Sequence, residues 1–175
     1  MQDIILAVLF FASGFFMKVS DDIYDEKHEL IGSTVFGIFT AITCGLAAVS
    51  DIGATYIFIA ILVGNLLAFK IDGLHHFLCM ILFAIICFAF GIPHLNLVFL
   101  IICIVAAFVD EIGHETIPKF TDNRFLNFFF EYRFVMKIII FVLAIGGVFS
   151  IWVFVYFLLF EIAYVLAGFI FKKLN

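Results

Sequence analysis

The sequence predicts an all-α, polytopic membrane bundle of about seven transmembrane helices. Three observations carry that expectation. Of the 175 residues 66% are hydrophobic and only 13% charged, too few polar side chains to cover a water-facing surface. Apolar stretches close to the length of a bilayer crossing, about 17–25 residues, succeed one another along almost the whole chain. Between them the basic residues fall in alternate connections, as they do when a chain crosses a membrane repeatedly.

The expected spans are roughly 4–20, 31–50, 54–70, 77–91, 95–109, 135–150 and 152–171, forming one transmembrane domain over residues 1–175. Several are short, which calls for helix ends that extend into the flanking polar motifs or for a locally thin bilayer. The first lacks a basic leader and a small-residue cleavage pattern, so it reads as a retained span. The last two come from one apolar run, 135–171, too long for a single crossing, and Gly146, Gly147 and Ser150 are its only turn candidates. Cys44, Cys79, Cys87 and Cys103 all lie within spans without a C-x-x-C pair and read as buried free thiols.

Orientation follows from where Lys and Arg are retained. With seven spans, Lys18, Lys27, Lys70, Lys119, Arg124, Arg133, Lys137, Lys172 and Lys173 share one face, while the other carries Asp3, Asp51 and His94. This makes the chain an integral membrane protein with its N-terminus outside and its C-terminus cytoplasmic. Most of the acids, Asp72 among them, and His28, His75, His76 and His114 join the basic face, so any chemistry is expected at the cytoplasmic side. Walker, G-x-S-x-G and zinc-finger patterns are absent, and nothing supports a nucleic-acid role.

Spans one, three and five each run out into a polar knot: FMKVSDDIYDE, AFKIDGLHH and AFVDEIGHE. This is either a weak repeat of helical hairpins or convergence on the needs of a helix end at a membrane surface. Inside the first knot Asp21 and Asp25, and Asp25 and Glu29, are four apart, and Asp22 and Asp25 three apart; inside the last, Asp110 pairs with His114 and Glu111 with Glu115 at the same spacing. A helical turn stacks such positions on one side, where like charges repel by about 0.2–0.5 kcal/mol a pair. They gain when a cation sits between them. Mg²⁺ binds through one or two carboxylates while substrate phosphates supply further oxygens. Asp21, Asp22, Asp25, Glu29, Asp110, Glu111, His114 and Glu115 are therefore the candidate metal ligands, with Asp21, Asp22, Asp25 and Asp110 the candidate catalytic residues. Lys18, Lys70, Lys119, Arg124 and Asn65 are the candidates for holding a phosphate-bearing substrate.

The string from Asp21 to Glu29, DDIYDEKHE, resembles the first Asp-rich motif, N-D-x-x-D-x-x-x-D, of the UbiA-type intramembrane prenyltransferases, with Asp21 in the place of Asn and Glu29 in that of the last Asp. The order of elements is similar too, since four spans separate the two acidic clusters. The second cluster departs from the family's D-x-x-x-D pattern, having His114 four residues after Asp110, although Glu111 and Glu115 keep a carboxylate pair in the adjacent register. The resemblance implies a UbiA-like arrangement with both motifs on cytoplasmic loops. One Mg²⁺ would sit on Asp21, Asp22, Asp25 and Glu29 and a second on Asp110, Glu111 and Glu115, with a prenyl or similar lipid diphosphate between them. Family members form a larger bundle, of which this chain would lack the first helix and one at the end.

Three further features stand apart. Glu161 lies mid-span, where an ionisable group facing lipid costs several kcal/mol, and reads as a packing contact with Asn65 or a hydroxyl or as part of a cation relay. His75 and His76 read as interfacial histidines or, with His114, as transition-metal ligands. Residues 118–133 mix phenylalanines with Arg124, Glu131 and Arg133 and predict an amphipathic helix on the membrane surface, as an anchor or a lid. Besides the Mg²⁺-dependent lipid-diphosphate enzyme, two readings stay open: a divalent-cation transporter or channel, and a non-catalytic lipid-binding membrane protein.

Overall fold

The computed structural model describes residues 2–71 and 73–174; the expected contribution of Asp72 lies outside them. Among the described residues the chain folds into α1 (Gln2–Lys27), α2 (Leu30–Ser50), α3 (Ile52–Leu67), α4 (Leu74–Phe90), α5 (Leu97–Phe120), α6 (Arg124–Glu131), α7 (Phe134–Ile145) and α8 (Ile151–Leu174). All are α-helices, as expected where a backbone in hydrocarbon must satisfy its own hydrogen bonds. Four of them, α1, α2, α5 and α8, are long and apolar enough to cross a membrane; α3, α4 and α7 are shorter apolar helices. At 12 residues α7 rises only about 18 Å against a hydrocarbon core of about 30 Å.

One expectation from the sequence changes here and another holds. The acidic motifs are not loops: α1 runs on to Lys27 and α5 to Phe120, so both are helical extensions of their apolar segments. Nothing helix-breaking intervenes in DDIYDEK, and Pro118 comes so late in α5 that the helix ends two residues beyond it. The long apolar run from 135 onward does divide near Gly146, with Gly147 at φ +76° between α7 and α8.

The helices form a closed ring in the order α1, α2, α3, α5, α7, α8 and back to α1, with α4 against α2. Small residues let them approach. Gly14 of α1 lies against the Phe160 backbone of α8, where a Cβ would strike the carbonyl, and Gly64 of α3 lies against Ala107 of α5, also too close for a Cβ. The first half of α3 is enclosed on all sides, with Thr55, Tyr56, Ile57 and Phe58 all buried. Phe10 of α1 and Phe160 of α8 pack on Phe58, with ring centroids 4.9 and 5.9 Å from its own. Hydroxyls pin the interfaces: Ser20 donates to the Ser33 carbonyl at 2.7 Å, tying α1 to α2.

One end of the bundle is fastened by Tyr156 donating to Asp3 at 3.2 Å, by the Asn96 amide donating to the Tyr56 hydroxyl at 2.7 Å and by Asp51 capping α3 through the Ala54 amide. The other end carries the polar knots.

Candidate functional site

At that second end a cavity of about 370 Å³ opens between the helices, lined by residues from α1, α2, α3, α4, α5, α7 and α8 and from the connections at Lys70 and Arg133. The similar polar stretches at the end of α1, after α3 and at the end of α5 all contribute to it, the second through Lys70, His75 and His76. Asp21 and Asp25 come from α1, Asn65 from α3, and Asp110, Glu111 and His114 from α5. Farther from the mouth the walls become apolar, with Phe58, Ile61, Leu62, Phe83, Phe157 and Phe160. The cavity therefore has a charged end and an oily end.

The α1 wall is sorted by helical geometry. Asp21 and Asp25, one turn apart, both line the cavity. Oδ2 of Asp21 accepts from the Tyr164 hydroxyl at 3.2 Å. Its Oδ1 is buried, has no hydrogen-bond donor among the described residues and lies 3.8 Å from His76 Nε2. Asp22 points elsewhere, because one residue rotates a helix by about 100°. It is 4% exposed, ion-paired with Lys18 at 2.8 Å and set beside Gly168 of α8. Asp22 is therefore not in the cavity lining, and neither is Glu29, which sits beyond the end of α1 as the exposed residue preceding α2. The first acidic cluster does not close on a single point.

The α5 wall is held by partners within the chain. Asp110, 1% exposed, accepts from the Val135 amide at 3.0 Å and the Met136 amide at 2.6 Å, so both its oxygens cap the start of α7. Arg133 reaches Glu111 through Nε and a terminal nitrogen, each 3.2 Å from Oε2. Lys70 stands 3.9 Å from the other oxygen of Glu111 and pairs closely with Glu115. His114 lies 3.8 Å from Glu131. A second Mg²⁺ on Asp110, Glu111 and Glu115 fits this wall poorly, since each carboxylate already faces backbone donors or a cation.

Arg133 also holds a left-handed backbone, φ +48°, rare for a residue with a side chain, and its guanidinium stands 5.7 Å from the Tyr164 ring centre. Burial works against its charge, but the facing Tyr164, Glu111 and Glu161 raise its pKa above the usual arginine value. Glu161 lines the cavity and pairs with Lys137 at 2.9 Å rather than with Asn65 or a hydroxyl. Lys137 also donates to the Tyr132 carbonyl, so the mid-span acid is neutralised from α7.

Of the five expected substrate contacts, Lys18, Lys70 and Asn65 line the cavity; Lys119 and Arg124 are exposed and do not. The amphipathic segment contains α6, none of whose residues lines the cavity, although Arg133 just beyond it does: Phe130 is wedged against Gly113 of α5, so α6 braces the second wall. Sequence reasoning passed over Arg133 and Tyr164 as site residues. The signal was present for Tyr164, three residues after Glu161 on the same helical face. For Arg133 it was not, because its placement depends on the left-handed turn before α7.

No family model, curated protein or solved structure matches the chain.

Proposed function

We propose that the cavity binds a prenyl or similar lipid diphosphate and that the chain is a short UbiA-like membrane enzyme acting on it with Mg²⁺. The observation that carries this is the cavity's polarity. Lys18, Lys70 and Arg133 stand with Asp21 and Asp25 at its mouth, and Phe58, Leu62, Phe83 and Phe157 line its far end. An amphiphile with an anionic head and a hydrocarbon tail matches that gradient.

Asp21 and Asp25 fit one Mg²⁺, since Oδ1 of Asp21, which has no hydrogen-bond donor among the described residues, and the exposed carboxylate of Asp25 leave acceptor oxygens for it. When bound, the ion would neutralise the diphosphate and favour its departure. The chain's own residues do the rest. Lys18, Lys70 and Arg133 are set where negative charge grows as the allylic C–O bond breaks, and Glu111 keeps the Arg133 fork aimed before substrate arrives. The apolar walls hold the tail and exclude water from the reacting carbon. All seven apolar helices would embed in the bilayer, with the N-terminus outside and this mouth at the cytoplasmic face, as the distribution of Lys and Arg favours.

The cation-transport reading draws less support. Glu161 is engaged by Lys137, and beyond it the bundle is filled by Phe10, Tyr56, Phe58 and Phe157, each no more than 3% exposed. The test is turnover: purified chain in lipid nanodiscs, given a panel of prenyl diphosphates and acceptors with Mg²⁺, releases diphosphate or transfers the lipid. Folded protein that binds and turns over none of them removes the proposal.

A further inference from the structure

His75 is buried at the start of α4, 1% exposed, between the Tyr24 ring at 4.2 Å and the His76 ring at 3.9 Å between centres. Gly73 permits this placement, because a Cβ there would overlap the imidazole. His76 and Asp21 complete a group in which one ligand atom from each residue lies within 4.8 Å of the others. A single ion with bonds of about 2.1 Å holds its ligand atoms no more than about 4.2 Å apart, a gap that side-chain rotation can close.

A second observation points the same way. The Tyr164 hydroxyl fixes one oxygen of Asp21 and leaves Oδ1 buried on the His76 side, without a hydrogen-bond donor among the described residues. A buried carboxylate oxygen with no donor is uncommon unless an ion serves it. A tyrosine that orients a ligating carboxylate from behind is the outer-shell arrangement of many metal sites.

We propose that His75, His76 and Asp21 form a site for a borderline transition cation such as Zn²⁺, Fe²⁺ or Co²⁺, with its remaining positions open to the cavity. Two imidazoles and one carboxylate favour such ions, whereas Mg²⁺ prefers oxygen donors throughout. The inference does not rest on the lipid reading. Asp21 is common to both, so the two ions would compete for it.

The test uses the full chain in detergent, stripped with chelator and titrated with Co²⁺ alone, without lipid. Visible d–d bands that saturate at one ion per chain and vanish on adding Zn²⁺, but persist in excess Mg²⁺, are expected. His76→Gln and Asp21→Asn are each expected to weaken Co²⁺ binding at least tenfold, and Gly73→Ala, which displaces His75, to weaken it as well. Gel filtration and thermal melting confirm that each variant is folded. A wild-type chain without Co²⁺ bands, or folded His76→Gln and Asp21→Asn variants that bind as tightly as wild type, would overturn the proposal. Mg²⁺-dependent lipid binding that survives His76→Gln separates this site from the lipid reading.

Discussion

Asp110 of α5 accepts the backbone amides of Val135 and Met136, so a carboxylate from one acidic motif forms the cap of α7. The pair of bonds fixes where the chain re-enters the bundle after α6, and with it the position of Arg133 at the cavity mouth. Replacing Asp110 by Ala leaves two helix-start amides without acceptors. A loss of about 1–3 kcal/mol is expected, read as a lower midpoint in thermal or denaturant unfolding in detergent. Unchanged stability would show that solvent or another side chain replaces the cap.

Arg133→Lys keeps the charge and discards the fork that grips Glu111. Weaker binding of a prenyl diphosphate, by about tenfold, is expected in a nanodisc titration, with the fold intact by gel filtration. Equal affinity would place the diphosphate head away from Arg133.

Lys137 and Glu161 form an ion pair inside an apolar bundle, 13% and 16% exposed at their side chains. Glu161→Leu alone strands the Lys137 charge and is expected to cost about 3–5 kcal/mol, whereas the double change Lys137→Met with Glu161→Leu recovers most of it. The comparison is made by unfolding each variant. A double variant no more stable than the single one would mean that the pair contributes more than mutual neutralisation.

The Gly14 contact allows no side chain, because the Phe160 backbone occupies that space. Gly14→Leu is therefore expected to separate α1 from α8 and to abolish folded protein on gel filtration. Monodisperse, heat-stable Gly14→Leu protein would contradict the packing of these helices.

Much of the bundle was legible in the residues because helices in lipid are written in long apolar runs, and the turn at Gly146 and Gly147 interrupts the one ambiguous run. Which carboxylates meet was less legible. Spacing brings Asp21 and Asp25 to one side, yet it does not reveal that Asp22, one position on, turns to Lys18 and α8. It also cannot distinguish an Asp awaiting a cation from one, such as Asp110, committed to backbone amides 25 residues later. Adjacent positions such as His75 and His76 diverge on a regular helix. Their approach to Asp21 depends on Gly73 and on the packing of α4 against α2, which no local pattern records.

The central claim is that the charged end of the cavity receives an anionic lipid head together with a divalent ion. The most direct measurement is calorimetric binding of a prenyl diphosphate to the chain in nanodiscs, with Mg²⁺ and with chelator, for the wild type and for Asp25→Asn combined with Lys70→Ala. Saturable binding in Mg²⁺, lost in chelator and reduced at least tenfold in the double variant, is expected. Binding that is absent, or equally tight with and without Mg²⁺ and indifferent to both substitutions, would contradict it.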